Sequence, residues 1–380
     1  MKVLQVIISD AFFGAERVVC NLAKGLDSNG VSCVILTTWS LAEKYLSKLK
    51  NRKNIKVYAV AFNPKKNNIV SIFLFRIKQA ILFRKIVKIE KPDVIHLHLP
   101  NPSFILLLLL CRVPSVMTEH GDVRYVHLNL SGGSVVKRFV NFLTIHILQF
   151  LVDEIVAYQY SLLEKCKLLR RRCHKVIYNC IDQEWLTWLN SVNEFKLNNM
   201  APRTLVFPGR LVREKGQWLL LKVADRLREA YPLRIVFVGD GPDRLNLEAL
   251  AKNLNIQNAE FVGYVDDEEK FEVFKSSDVI IANLDHPELS QVLLEAAAIG
   301  KPTITFYDRE VYQIFGESLW YIRQASVDEV YRKIKEIFSD YDYALKRAST
   351  AKKIALHRFN PSRFIFEYLK VYRCMLNDKS

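Results

Sequence analysis

The chain has 380 residues, half of them hydrophobic and a quarter charged, which predicts two folded domains and excludes global disorder, a collagen repeat or a coiled coil. Lys and Arg number 55 against 40 Asp and Glu, and the excess is local: residues 1–200 carry 28 basic and 14 acidic side chains, residues 201–380 carry 27 and 26. A basic half suits a nucleic acid, an anionic membrane or an anionic small molecule, and charge by itself does not choose among them.

In chain order, short apolar runs at 3–8, 33–37, 56–60, 94–97, 115–118, 154–157 and 175–178 predict strands, with amphipathic helices at 15–27, 69–90 and 135–151. The grammar repeats after residue 203, with strands at 204–207, 234–238, 259–262, 279–282, 302–306 and 318–322 and helices at 217–230, 243–254, 267–276, 292–299 and 327–338. Near-continuous apolar strands alternating with helices predict parallel sheets covered on both faces. The expected divisions are a domain over 1–180, a polar, Asn-rich linker over 181–203, a domain over 204–357 and an amphipathic, aromatic tail over 358–380. Two doubly wound domains present their ligand edges at the C-terminal ends of their strands, which predicts a central cleft between two bound molecules.

Seven cysteines, an odd number without a C-x-x-C pair, read as buried reduced thiols of a cytoplasmic protein. The apolar run at 3–8 is too short for a signal peptide, and the longest, at 104–111, falls far below the about 20 residues a spanning helix needs. The segment 69–91 mixes Ile, Phe and Leu with Arg76, Lys78, Arg84, Lys85 and Lys88. It predicts a helix with its apolar stripe on the sheet and a basic face outward, either merely solvated or in peripheral contact with an anionic membrane.

Three places carry chemistry. Ser9 to Arg17 follows the first strand, and Gly14 there lets backbone amides approach a phosphate at a helix start; a tight turn without a ligand is the competing reading. Gly209, Arg210 and Lys215 occupy the equivalent loop of the second half, where paired cations suit a diphosphate. The polar loop from Asp285 runs into a helix: amides at Leu289, Ser290 and Gln291 suit phosphate, Glu288 lies beside them, and Glu295 suits a ribose diol or is an exposed helix acid. Asp266 to Glu269 sit at a helix start, where carboxylates cap, so no metal site is expected there.

The motifs Gly14-Ala15-Glu16-Arg17, Lys91-Pro92-Asp93-Val94-Ile95-His96, Tyr178-Asn179-Cys180-Ile181-Asp182, Gly209-Arg210-Leu211 with Glu214-Lys215-Gly216, Val238-Gly239-Asp240-Gly241-Pro242 and Leu294-Glu295-Ala296 occur in this order. Together they resemble the retaining group 1 glycosyltransferases, glycosyltransferase family 4, of the GT-B fold. The resemblance implies metal-independent, hexosyltransferase-like transfer from a UDP- or GDP-linked sugar, without a further cofactor, by front-face attack of the acceptor hydroxyl. It gives Arg210 and Lys215 the leaving diphosphate, Glu295 the ribose, Gly14 the phosphates or acceptor, and His120 a place near the reacting sugar. A core or capping role is the alternative for His120. It further implies a final helix returning to the first domain and a glycan or lipid-linked acceptor of lipopolysaccharide or surface polysaccharide synthesis.

Three residues depart from the family pattern. Pro287 stands where the first of two glutamates is expected, so either Glu288 reaches the donor sugar through a one-residue shift of its loop or the sugar hydroxyls rely on loop amides; Phe13 and Cys180 replace glycines. The competing readings are a GT-B sugar-nucleotide epimerase, a catalytically silent partner subunit, and an RNA-binding protein. The last is disfavoured because no aromatic RNA-binding sheet motif is present, so nucleic acid is not an expected partner.

Overall fold

The computed structural model describes residues 1–9, 14–50, 52–61, 69–120, 135–162, 174–191 and 202–377. They form two compact units, Met1–Cys180 with Pro361–Ser380, and Ile181–Asn360.

The first unit is built on a wholly parallel seven-stranded sheet of order β3-β2-β1-β4-β5-β6-β7. Its strands are β1 (Lys2–Ile7), β2 (Ser32–Thr38), β3 (Ile55–Val60), β4 (Val94–His98), β5 (Ser115–Glu119), β6 (Glu154–Ala157) and β7 (His174–Val176). The period of two sends Val3 and Ile7 to one face of the sheet and Leu4 and Val6 to the other, and both faces are covered. Helices α1 (Gly14–Ser28) and α2 (Trp39–Lys48) pack on the first face through Leu22 and Tyr45. Helices α3 (Ile69–Glu90), α4 (Ser103–Leu110) and α5 (Val135–Leu151) pack on the second through Phe83, Phe104 and Leu148.

The second unit opens with α6 (Gln183–Leu189) and carries a parallel six-stranded sheet of order β10-β9-β8-β11-β12-β13. Its strands are β8 (Arg203–Pro208), β9 (Leu233–Val238), β10 (Ala259–Gly263), β11 (Val279–Ile281), β12 (Thr303–Phe306) and β13 (Trp320–Ile322). Between and after them lie α7 (Gln217–Leu227), α8 (Arg244–Asn253), α9 (Asp267–Ser276), α10 (Gln291–Ile299), α11 (Arg309–Phe315), α12 (Val327–Ser339) and α13 (Tyr341–Arg358). The last helix, α14 (Pro361–Asn377), lies on the first unit, where Phe364, Tyr368 and Tyr372 join its core. Gly25 of α1 permits that packing, because a Cβ there would lie 2.0 Å from Ile365 Cδ1.

Part of the segment expected as a linker is folded: Trp185 of α6 is fully buried, edge-on to Phe271 and Phe274 with ring centroids 5.2 and 5.5 Å away. Residues 192–201 lie outside the described residues. Of the thiols, Cys20, Cys33, Cys111 and Cys180 are buried as expected, Cys374 is exposed, and Cys166 and Cys173 lie outside the described residues. Among the described residues no helix is long and apolar enough to cross a membrane. The expected basic outward face of α3 is present, with Lys78, Arg84, Lys85 and Lys88 exposed, and Phe73, Leu74, Ile81, Leu82 and Ile89 are exposed beside these cations, which was not expected.

Candidate functional site

In the second unit the strand order reverses between β8 and β11, and the loops that follow these two strands carry the candidate residues. After β8 the chain turns at Gly209. The Gly209 N–H donates to Val238 O at 2.8 Å and the Leu211 N–H to Asp240 O at 3.0 Å, so the loops after β8 and β9 are stapled backbone to backbone. Gly239 makes this possible: its φ is +131°, and a Cβ would sit 2.2 Å from the Gly209 carbonyl oxygen. Arg210 is exposed, with its carbonyl accepting from Gln217 Nε2 at 3.0 Å. A 3-10 turn, Arg213–Lys215, then brings Lys215 round before α7.

After β11, buried Asn283 organises the second loop, donating to His286 O at 2.6 Å and accepting from the Asp285 N–H at 3.2 Å. Two bonds join the loops, Leu284 N–H to Lys215 O at 3.1 Å and His286 Nδ1 to Glu214 O at 2.8 Å. The second needs a proton on Nδ1, since only a protonated Nδ1 can donate to a carbonyl. The Lys215 ammonium ion-pairs with Glu288, and His286 Nε2 lies 3.5 Å from the same carboxylate. Burial pushes the Glu288 carboxyl up, but Lys215 and His286 outweigh it and hold it at about 2. Glu288 therefore lies beside a predicted diphosphate cation despite its displaced position in the sequence.

Ser290 caps α10, its Oγ accepting the Leu293 N–H at 3.2 Å; Leu289 is buried before it and Gln291 opens the helix. Glu295 is fully buried in α10, and its carboxylate lies 2.8 Å from Lys270 Nζ, which sits 5.3 Å from the Trp185 ring centroid. The exposed-acid alternative for Glu295 is thus excluded, and a ribose diol meeting Glu295 must share it with Lys270. Asp266 and Glu269 form a reciprocal capping box at the start of α9, the cap expected of them. Among the described residues no group of three or more His, Cys, Asp and Glu is arranged to hold a metal ion.

In the first unit, Gly14 is exposed at the start of α1, and a Cβ there would meet nothing within 4 Å among the described residues. Residues 10–13 of the same turn lie outside the described residues. Buried Glu16 accepts from Ser9 Oγ at 2.5 Å. His96 and His98 alternate with Ile95 and Leu97 along β4 and so face α14, where His96 bonds Tyr372 Oη and Thr118 Oγ1, each at 2.7 Å. His98 Nδ1 meets His120 Nε2 at 2.9 Å, and its ring stacks on His96 with centroids 3.9 Å apart.

Burial holds His96 and His98 well below the ordinary imidazole range and His120 at about 3, so all three are neutral. His98 Nε2 is buried without a hydrogen-bond partner among the described residues. An orphaned lone pair is cheaper than an orphaned N–H, which puts the His98 proton on Nδ1, donating to His120 Nε2, and the His120 proton on Nδ1. His120 is therefore only partly buried and oriented through a side chain, not a simple cap.

Sequence reasoning singled out Arg210, Lys215 and Glu288, of which the fold brings Lys215 and Glu288 together, and missed His286, Asn283, Lys270 and His98. Each of the missed groups acts through a residue that the fold brings to it, and none stands in a diagnostic spacing. His98, two residues beyond the His96 of a recognised motif, was within reach of a period-two reading of its strand.

Residues 13–185 match the family model described as Glycosyltransferase Family 4, and residues 190–354 match Glycosyl transferases group 1. The chain is 24% identical to an uncharacterized glycosyltransferase of Methanocaldococcus jannaschii over 93% of its own length and 92% of that protein. It is 22% identical to the O-antigen chain mannosyltransferase C of Escherichia coli over the whole of both chains. Its fold is similar to that of Anabaena HepE, solved in complex with UDP and glucose, with a TM-score of 0.75 at 17% identity over 98% of this chain and 99% of that one. Two parallel α/β sheets, matched half by half to these models, place the chain in the group 1 glycosyltransferases of the two-domain GT-B fold.

Proposed function

We propose that this glycosyltransferase moves a sugar from a UDP- or GDP-linked donor to a glycan or lipid-linked acceptor of bacterial lipopolysaccharide or surface polysaccharide, in the cytoplasm. The names of relatives such as the O-antigen mannosyltransferase support the acceptor class. The observation that carries the donor side is the meeting of Lys215 and Glu288 from two joined loops at the switch point of the second sheet; Arg210 is exposed in the first of these loops.

In this reading the donor diphosphate takes the Lys215 ammonium in exchange for Glu288, and Arg210 supplies the second cation. These charges stabilise the leaving diphosphate as the anomeric C–O bond breaks, the task a metal ion performs elsewhere. Glu288, released from Lys215, is placed to accept from a sugar hydroxyl; Glu295 accepts from the ribose; the amides of Gly209 and of Leu289 to Gln291 line the phosphates. The acceptor hydroxyl attacks from the leaving-group side with retention, and its proton passes to the departing phosphate oxygen.

The test is release of nucleoside diphosphate from a panel of UDP- and GDP-sugars with an extracted lipid acceptor. Turnover lost in Arg210→Ala and Lys215→Ala supports the reading. A chain that neither binds nor turns over any donor is a silent subunit, and interconversion of the donor sugar without transfer identifies an epimerase.

A further inference from the structure

The first sheet has two covers of opposite character. On one face, helices α1, α2 and α14 leave three large apolar side chains exposed among the described residues, Trp39, Leu46 and Phe366. On the other, α3, α4 and α5 leave thirteen, six on α3, two on α4 and five on α5, among 22 in the described chain. The three helices are neighbours, α3 packing on α4 and α4 on α5, so these side chains share one surface. Phe73 at 65% and Phe150 at 74% exposure are its most open aromatics. Soluble surfaces scatter such residues singly; a contiguous set marks a partner.

Charge identifies that partner. On α3, Ile81, Leu82 and Ile89 stand at helical spacing with Lys78 and Lys85, all exposed, so one stripe alternates apolar bodies with ammonium groups. Arg84, Lys88 and Arg112 add exposed charge. The three helices hold one acid, Glu90, which is buried and paired with Lys2 and Lys56. An apolar surface with cations and no exposed acid fits the boundary between anionic headgroups and acyl chains. It does not fit a second copy of itself, because the same cations would meet.

We propose that the outer face of α3, α4 and α5 docks on an anionic lipid bilayer, with Phe73, Leu82, Leu110 and Phe150 entering the headgroup region and Lys78, Arg84, Lys85 and Lys88 meeting lipid phosphates. The proposal rests on the lipid-linked acceptor reading and names the surface that brings the first unit to such an acceptor. Among the described residues no helix is long and apolar enough to span, and the proposed contact is peripheral and reversible.

The test is co-sedimentation of the full chain with phosphatidylcholine vesicles containing about one-third phosphatidylglycerol, against pure phosphatidylcholine. Binding is expected only to the acidic vesicles, and weakening as salt shortens the screening length below about 8 Å. Phe73→Ser with Phe150→Ser, and separately Lys78→Gln with Lys85→Gln, should each lower partition about tenfold. These side chains are exposed, and an unchanged circular dichroism melt checks that the fold is kept. Equal partition of wild type and both variants, or no partition, overturns the proposal. So does a concentration-dependent dimer in lipid-free solution that Phe150→Ser dissolves, which assigns the face to a second copy. Donor turnover is scored separately: vesicle binding without turnover sinks the transferase reading alone, and turnover without vesicle binding sinks the lipid surface alone.

Discussion

The two units place titratable groups at the same C-terminal edge of a parallel sheet and treat them oppositely. In the first, three histidines lie ring against ring and bond without a counter-charge among the described residues, and burial holds them neutral. In the second, each candidate carboxylate is matched by a lysine, Glu288 by Lys215 and Glu295 by Lys270, and the pairing holds Glu288 ionised. A group without a partner escapes the desolvation cost by shedding charge; a paired group keeps it. One edge is thus a neutral hydrogen-bonding surface and the other a charged one, suited to a diphosphate.

The largest effect should come from breaking the buried pair. Lys270→Met strands Glu295, which has no solvent exposure, and is expected to cost the second unit about 3 kcal/mol, read as a drop in its melting midpoint. Lys270→Met with Glu295→Leu should recover most of that loss. Arg210→Ala should lower turnover about 100-fold while the melt stays unchanged, and Lys215→Ala should lower it as much with a small fall in melting midpoint as Glu288 loses its partner, if these cations stabilise the leaving group. Glu288→Gln sharpens the comparison: removing the charge that competes for Lys215 should leave nucleoside diphosphate binding at least as tight, by calorimetry, while turnover of the full donor falls.

Smaller effects follow from pH. The Tyr58 hydroxyl, against the cost of burial and with help from Lys56 and Lys2, holds Glu90 at about 2 in the first unit. A depressed carboxyl stabilises the fold above its ordinary pKa of 4.5 and loses that contribution as pH falls towards 2. Glu90→Gln should therefore cost about 1.5 kcal/mol at neutral pH, and the difference in melting midpoint should vanish in acid. The histidines run the same way: unfolded imidazoles take up protons below about 6.5 while the folded ones do not, so the first unit should lose stability as pH drops below that value. For the same reason His120 should give the rate profile no inflection near 6.5.

The strands were legible because buried parallel strands are apolar along their whole length, and β1 to β13 lie within a few residues of the runs that announced them. Some helices were not. Ser103–Leu110 has no polar residue after Ser103 to mark a period, and Tyr341–Arg358 packs through a stripe of Ala344, Ala348, Ala351 and Ala355 too small to stand out from its polar surroundings. Glu288 shows the same limit at the site: its sequence position counted against it, yet its loop carries it to Lys215.

By itself the sequence determined the alternation of strand and helix, the two halves, the placing of most excess charge in the first, and the ordered motifs of the family. Those properties are local, set by side-chain periodicity, turn residues and composition. Only the tertiary structure decided which groups are charged and which surfaces are open. Burial and partners across 73 residues for Lys215 and Glu288, or 22 for His98 and His120, come from how strands are ordered in a sheet. The apolar face of α3, α4 and α5 is likewise a property of three helices laid side by side, and none of them declares it alone.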